Sequence, residues 1–255
     1  MSAARKTITV QVGCRTEWRA LETAIDAVSS LVPEGLGPFS QYHSMTLEGV
    51  DLLLFQGGPS KTVAGAACQH ALSTHRPDLH VMLGTCGGVS GKPEVGGLMY
   101  ASRAAQYDCI DRLCDTNDFF YDAYDVHIDN HWIREVLEPL GLVSGTVATA
   151  DQDIDFTVRK TLLAHDADVA DWESAAVALV CHHNHVPVLI LRGVSDIPEE
   201  DLSQVDQAES FLNKTPMIMN AFAGILPAIA KQLTLRQPLR NTRIPLYAKP
   251  FELLL

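Results

Sequence analysis

Ala167–Asp196, ADVADWESAAVALVCHHNHVPVLILRGVSD, places a carboxylate at the start of a helix, then the helix, then a buried strand that ends in a second carboxylate. Asp171-Trp172-Glu173-Ser174 leads into AAVALV, whose alanines favour helix. The helix is expected to stop around His183–His185, because the residue before Pro187 is biased away from the α region. Val188–Leu191 is a run of four apolar residues, the pattern of a strand covered on both faces. Open parallel sheets bind ligands beyond the carboxyl ends of their strands, so Glu173 and Asp196 are candidates to face one pocket.

The rest of the chain bounds what such a pocket serves. A chain of 255 residues suffices for one large α/β domain. With 47% hydrophobic and 20% charged residues it has the composition of an ordinary globular protein with a sizeable core. A formal net charge of -12 speaks against nucleic acid or an anionic membrane as a partner, since both are gripped by basic surfaces. Six scattered cysteines without a CxxC pair read as buried reduced thiols. Met1–Lys6 lacks the apolar core of a signal peptide, and no apolar run reads as long enough to span a bilayer. The expected location is cytoplasmic.

Taken in order, Thr7–Val12 alternates as a first strand and runs through Gly13–Glu17 into a helix with Trp18, Leu21, Ile25 and Val28 at helical spacing. Read alone, Glu17 is a carboxylate compensating a helix N-terminus. Asp51–Phe55 is a second strand, and Gly57-Gly58-Pro59-Ser60-Lys61 turns it into the alanine-rich helix Thr62–Thr74. Exposed N–H groups in that turn suit an anion, but the spacing is neither a P-loop nor a dinucleotide fingerprint. A third strand, His80–Leu83, enters Gly84-Thr85-Cys86-Gly87-Gly88, which reads as a tight turn open to close ligand approach.

Gly96–Ala104 and Leu142–Ala150 read as strands, with a short helix over His131–Leu140. The acidic, aromatic segment Gln106–Asn130, holding Phe119, Phe120, Tyr121 and Tyr124, suits a lid, a specificity loop or an oligomer contact. Asp151, Asp153 and Asp155 match no EF-hand spacing, and Cys181, His182, His183 and His185 lack the converging offsets of a zinc site. Neither a metal nor an organic cofactor is expected. A long helix over Ser203–Gln232, broken near Pro216, precedes a proline-containing tail, so the expected division is a domain over 1–233 and a tail over 234–255. The pattern as a whole supports an α/β layer fold.

Four motifs in order, V-G-x-x-x-E-W at the first strand's end, GTCGG, DWESAA and RGVSD, resemble the nucleoside phosphorylase and nucleosidase superfamily, and within it the 5′-methylthioadenosine/S-adenosylhomocysteine nucleosidases. The resemblance implies a three-layer α/β/α fold around a mixed, partly closed central sheet, and a homodimer. It puts Glu17 where the family activates the attacking water and Glu173 where it holds the ribose hydroxyls. Asp196 falls where the family supports purine protonation, with Ser195 orienting that carboxyl. Thr85 falls in the water or phosphate region, Trp172 at the ribose, and Asp153 and Ile154 beside the base.

The chemistry implied is cleavage of a purine nucleoside at its N-glycosidic bond. The departing purine takes a proton, water is activated on the other side of the sugar, and a carboxylate faces the developing ribosyl cation. Three departures qualify the resemblance. Asp153 stands where many nucleosidases have an aromatic residue, Trp172 replaces a common methionine, and Met82 stands where hexameric phosphorylases carry a phosphate-binding arginine. The last favours hydrolysis. Arg15 and Arg19 keep a phosphate-dependent phosphorylase open as the alternative, and a non-catalytic nucleoside-binding relative is the third reading.

Overall fold

A computed structural model describes residues 5–26, 32–36, 40–109, 125–236, 238 and 242–243. Eleven strands form one mixed sheet among these residues: β1 (Thr7–Val12), β2 (Val32–Leu36), β3 (Ser40–Leu47), β4 (Val50–Gln56), β5 (Leu79–Gly88), β6 (Leu98–Gln106), β7 (Val126–His127), β8 (Val143–Thr149), β9 (Val169–Asp171), β10 (Val188–Asp196) and β11 (Thr242–Arg243). The order β11-β7-β6-β8-β9-β5-β1-β4-β3-β2 is supplemented by β10, which pairs with both β5 and β6. The path β5-β10-β6-β8-β9 therefore returns to β5, and this closed ring makes the sheet partly barrel-like.

Side-chain alternation assigns each strand two faces. Leu79, Val81 and Leu83 of β5, Ile8, Val10 and Val12 of β1, and Leu189 and Leu191 of β10 face one apolar layer. That layer is completed by α1 (Arg15–Asp26) and α6 (Gln204–Leu235). Met82, Val188, Ile190 and Val194 point the other way, toward α2 (Lys61–His75) and α5 (Ser174–His183). The short α3 (Arg134–Leu137) lies beside α6, and α4 (Phe156–Leu163) covers a smaller cluster around Ala148 and Ala170.

Several expectations are corrected. Gly84–Gly88 is not a turn: the strand continues to Gly88, because β10 pairs along β5 as far as Gly87. The last helix is unbroken at Pro216 and runs over Gln204–Leu235, three residues past the expected helix end at Gln232. Pro216 leaves the carbonyl of Leu212 without its helical donor, but Leu212 lies on the exposed side of the helix. The opposite stripe, Ile218, Met219, Phe222, Ile225, Leu226 and Ile229, is packed on the sheet and holds the helix together.

This helix is also long and apolar enough to cross a membrane by length and composition, contrary to the sequence reading, although half of its most apolar window is buried in the protein. Thr242–Arg243 of the tail add a short strand against Val126–His127. Phe119–Tyr124 lie outside the described residues.

Phe222 is fully buried between α6 and the sheet. Phe222→Ala should cost about 3–5 kcal/mol of unfolding free energy by urea denaturation, the range for emptying an aromatic site in a packed core.

Candidate active site

The site begins where β1 stops. Strand β1 pairs with β5 only as far as Leu83, and β9 takes up the same edge of β5 at Gly87 and Gly88. Between them Thr85 presents an N–H with no strand opposite. Glu17, in the first turn of α1, fills the gap. Its Oε1 accepts from Thr85 N (2.6 Å) and Thr85 Oγ1 (2.7 Å), while its Oε2 accepts from Cys14 N (2.9 Å). At 4% exposure this residue is a fixed carboxylate in a cleft, not a surface dipole compensator.

Glu173 is the N-cap of α5, and the first free N–H groups of that helix are satisfied from inside the protein. Ser174 N donates to Asp171 (3.1 Å to Oδ2), and Ala175 N donates to Thr149 Oγ1 (3.0 Å). Thr149 Oγ1 donates in turn to Asp171 Oδ1 (2.5 Å). The glycine-containing turn before α2 does present a backbone N–H to an anion belonging to the protein: Lys61 N donates to Asp151 Oδ1 (2.7 Å).

Arg192 of β10, a residue assigned no role from the sequence, lies behind these carboxylates with 0% exposure. Its Nη2 forms an ion pair with Asp171 Oδ2 and lies 3.3 Å from Glu173 Oε2. Its Nε donates to Ser174 Oγ (2.9 Å), and Nη2 reaches Met82 Sδ (3.4 Å). Gly84 is glycine for this reason: a Cβ there would sit 2.0 Å from Arg192 Nη1 and 2.9 Å from Glu17 Oε1. Burial dominates at Glu173 and pushes its carboxyl up to about 8, against the pull of Arg192, and the negative charges of Asp171 and Glu17 add to the rise.

Asp196 closes the strand. Ser195 Oγ donates to its Oδ1 (2.7 Å), and Gln207 of α6 reaches Oδ2 (3.5 Å). Burial raises the Asp196 carboxyl above its ordinary value, Ser195 opposes that, and the charge of Asp153 adds to it.

These groups open into one cavity of about 530 Å³. All eight residues singled out from the sequence line it: Glu17, Thr85, Asp153, Ile154, Trp172, Glu173, Ser195 and Asp196. The reading from sequence missed Asp171, Gln207 and Phe211, which line it too. Phe211 and Trp172 supply aromatic surface that Asp153 does not. Six of the lining residues are carboxylates (Glu17, Asp153, Asp155, Asp171, Glu173 and Asp196), and among the described residues no Lys, Arg or His lines it. Arg15 and Arg19 are exposed and lie outside the lining.

A closed ring of strands with carboxylates gathered at strand ends around a small-molecule-sized cavity defines an α/β protein with a pocket at the ends of its strands, and sequence comparison gives its family. Residues 8–231 match the family model described as the phosphorylase superfamily, and the chain belongs to that family.

Among its relatives is a 5′-methylthioadenosine/S-adenosylhomocysteine nucleosidase of Chromohalobacter salexigens, 28% identical over 203 residues that cover 71% of this chain and 83% of the relative. Solved structures share the fold. The corresponding nucleosidase of Campylobacter jejuni superposes with a TM-score of 0.72 at 22% identity, covering 88% of this chain and 100% of that one. The futalosine hydrolase of Helicobacter pylori gives 0.76 at 17% identity, covering 88% and 98%.

Two measurements check the electrostatics. Arg192→Met leaves Asp171 and Glu173 buried without their cation, and urea unfolding should show a loss of about 3–5 kcal/mol. The raised Glu173 carboxyl stabilises the folded state fully below its ordinary value of 4.5 and loses that contribution as pH rises through about 8. Glu173→Gln should therefore gain stability relative to the parent protein as pH is raised from about 5 to about 8.5, read as a widening gap in urea midpoints.

Proposed function

We propose that this protein hydrolyses the N-glycosidic bond of a purine nucleoside of the 5′-methylthioadenosine/S-adenosylhomocysteine type. The observation that carries the reading is the charge of the cavity: six carboxylates line it among the described residues, and the Arg192 guanidinium behind them is already engaged by Asp171 and Glu173. Such a cavity stabilises a sugar that becomes cationic as its base departs. It also disfavours an inorganic phosphate as nucleophile, which calls for a free guanidinium or ammonium. Water is then the nucleophile. The relatives named as nucleosidases support the same reaction type.

Each residue has one task in this reading. Asp196, with a carboxyl raised by burial and oriented by Ser195, donates a proton toward the departing purine, whose neutralisation makes it a better leaving group. Glu173 accepts hydrogen bonds from the ribose hydroxyls and places charge below the developing cation; donors on the sugar favour its ionised form, which burial alone resists. Glu17 is held by Thr85 and Cys14 with its carboxylate facing the same cleft, and takes the proton of the attacking water. Phe211 and Trp172 offer apolar faces to the base and sugar. No step requires a metal or an organic cofactor.

The reading extends to a cytoplasmic homodimer. The free thiols of Cys14, Cys68, Cys86, Cys109 and Cys181 support a reducing compartment. Val205, Leu212 and Met217, exposed on α6, support a subunit contact next to the cavity mouth.

The test is release of free base from 5′-methylthioadenosine, S-adenosylhomocysteine, adenosine and inosine, with and without phosphate, followed by chromatography. Adenine released from the thio-substituted nucleosides without phosphate is the expected result. Release only with phosphate, giving a ribose 1-phosphate, would establish phosphorolysis instead. Asp196→Asn should lower kcat by about 10²–10⁴-fold, the usual contribution of a positioned general acid, with a smaller change in KM.

A further inference from the structure

At the opposite end of the strands from the cavity, three side chains from three elements converge in the layer between the sheet and α2 and α5. Cys68 of α2, Cys181 of α5 and His80 of β5 are each 0% exposed. Their ligand atoms all lie within 4.8 Å of one another. The two sulfurs are 3.6 Å apart, and the residues carry no disulfide. His80 Nδ1 is bonded to Thr9 Oγ1 (2.8 Å), whereas its Nε2 is a fully buried nitrogen without a hydrogen-bond partner. A polar atom in that position costs free energy unless something occupies it.

We propose that Cys68, His80 and Cys181 form a structural binding site for a divalent thiophilic cation, with zinc as the type ligand. Two sulfurs on a tetrahedral zinc, each about 2.3 Å from the ion, stand about 3.8 Å apart. The observed 3.6 Å needs little adjustment. Zinc also takes imidazole nitrogen, and Nε2 is the atom that lacks a partner. Thr9 fixes the ring as an outer-shell partner does: with Nε2 on the metal, Nδ1 carries the proton and donates it to Thr9 Oγ1. Two thiolates cancel the charge of a divalent ion, so the occupied cluster is neutral and suits a buried position. Binding releases the two thiol protons, and the three side chains supply three of the ion's ligands.

The role is structural. His80 and Thr85 are five residues apart on one strand, roughly 17 Å at 3.3 Å per residue, so the ion stands well away from the reacting atoms. It would fasten α2 to α5, whose N-caps are Ser60 and Glu173; Glu173 and Pro59, the residue before Ser60, line the cavity. Cys181 neighbours the histidines 182, 183 and 185 in sequence, yet its partners here come from residues 68 and 80, which spacing along the chain does not reveal.

Because the cluster is closed to solvent, the ion enters as the chain folds. The full-length protein should therefore be refolded from denaturant under reducing conditions with zinc, then dialysed against zinc-free buffer and assayed for metal. Close to one zinc per chain is expected, with a thermal midpoint higher than that of protein refolded without it. Refolding with cobalt(II) should give a thiolate-to-cobalt charge-transfer band. Cys181→Ala and Cys68→Ser should lose the metal and the band, and Cys181→Ala should no longer respond to zinc in its midpoint.

The parent protein keeps the test decisive if a variant fails to fold. Should it refold to its native circular dichroism yet retain no zinc and give no cobalt band, the proposal is overturned. A Cys68–Cys181 disulfide found in its place overturns it equally. Neither result bears on base release, which depends on residues at the other end of the sheet.

Discussion

Arg192 is a guanidinium without access to water, and the arrangement of the cavity follows from the need to satisfy it. Burying a cation is costly unless carboxylates and hydrogen-bond acceptors surround it. Asp171 at the end of β9, Glu173 at the start of α5 and Ser174 beside it meet that demand, with Met82 and Gly84 leaving room. In doing so they bring β5, β9, β10 and α5 together at one point. Arg192 is a positioning residue: one of its partners, Glu173, faces the cavity with its carboxyl raised to about 8 by burial, against the pull of the cation.

The second organising feature is a gap in hydrogen bonding. A strand edge normally offers its N–H and C=O groups to a neighbour, yet β5 changes neighbours between Leu83 and Gly87. The carboxylate of Glu17 takes the N–H of Thr85 that the change leaves free. A defect in the sheet thereby becomes the fixation point of a reactive group, on a helix that starts three residues after its strand ends. Strand termini, helix N-termini and a closed ring of five strands coincide here, which is why carboxylates distant in sequence share one cavity.

Much of this was legible from the chain. Val188–Leu191 announced a doubly covered strand, the alanines after Glu173 a helix, and Pro187 the end of that helix. All eight residues chosen from the motifs line the cavity. What escaped notice had no local signal. Arg192 sits in an apolar strand, where an arginine looks like a strand terminus until its partners from β9 and α5 are seen. GTCGG reads as a turn because paired glycines usually make one; here they admit Ile154 and Ile197 close to the strand backbone. Pro216 reads as a break because local propensity disfavours it, and the packing of Phe222 and its neighbours on the sheet overrides that preference.

By itself the sequence determined the alternation of strands and helices, the apolar faces that bury them, and the identity of the carboxylates at strand and helix ends. Those properties depend on neighbours two to four residues away, within reach of periodicity and capping rules. Only the tertiary structure decided that Asp171 and Glu173 divide one buried guanidinium, that Thr85 gives its N–H to Glu17, that Phe211 walls the cavity, and that Cys68, His80 and Cys181 converge on one another. Each of these joins residues dozens of positions apart. Such pairings depend on which strands close the ring and where an edge is left open, and no local pattern along the chain encodes that choice.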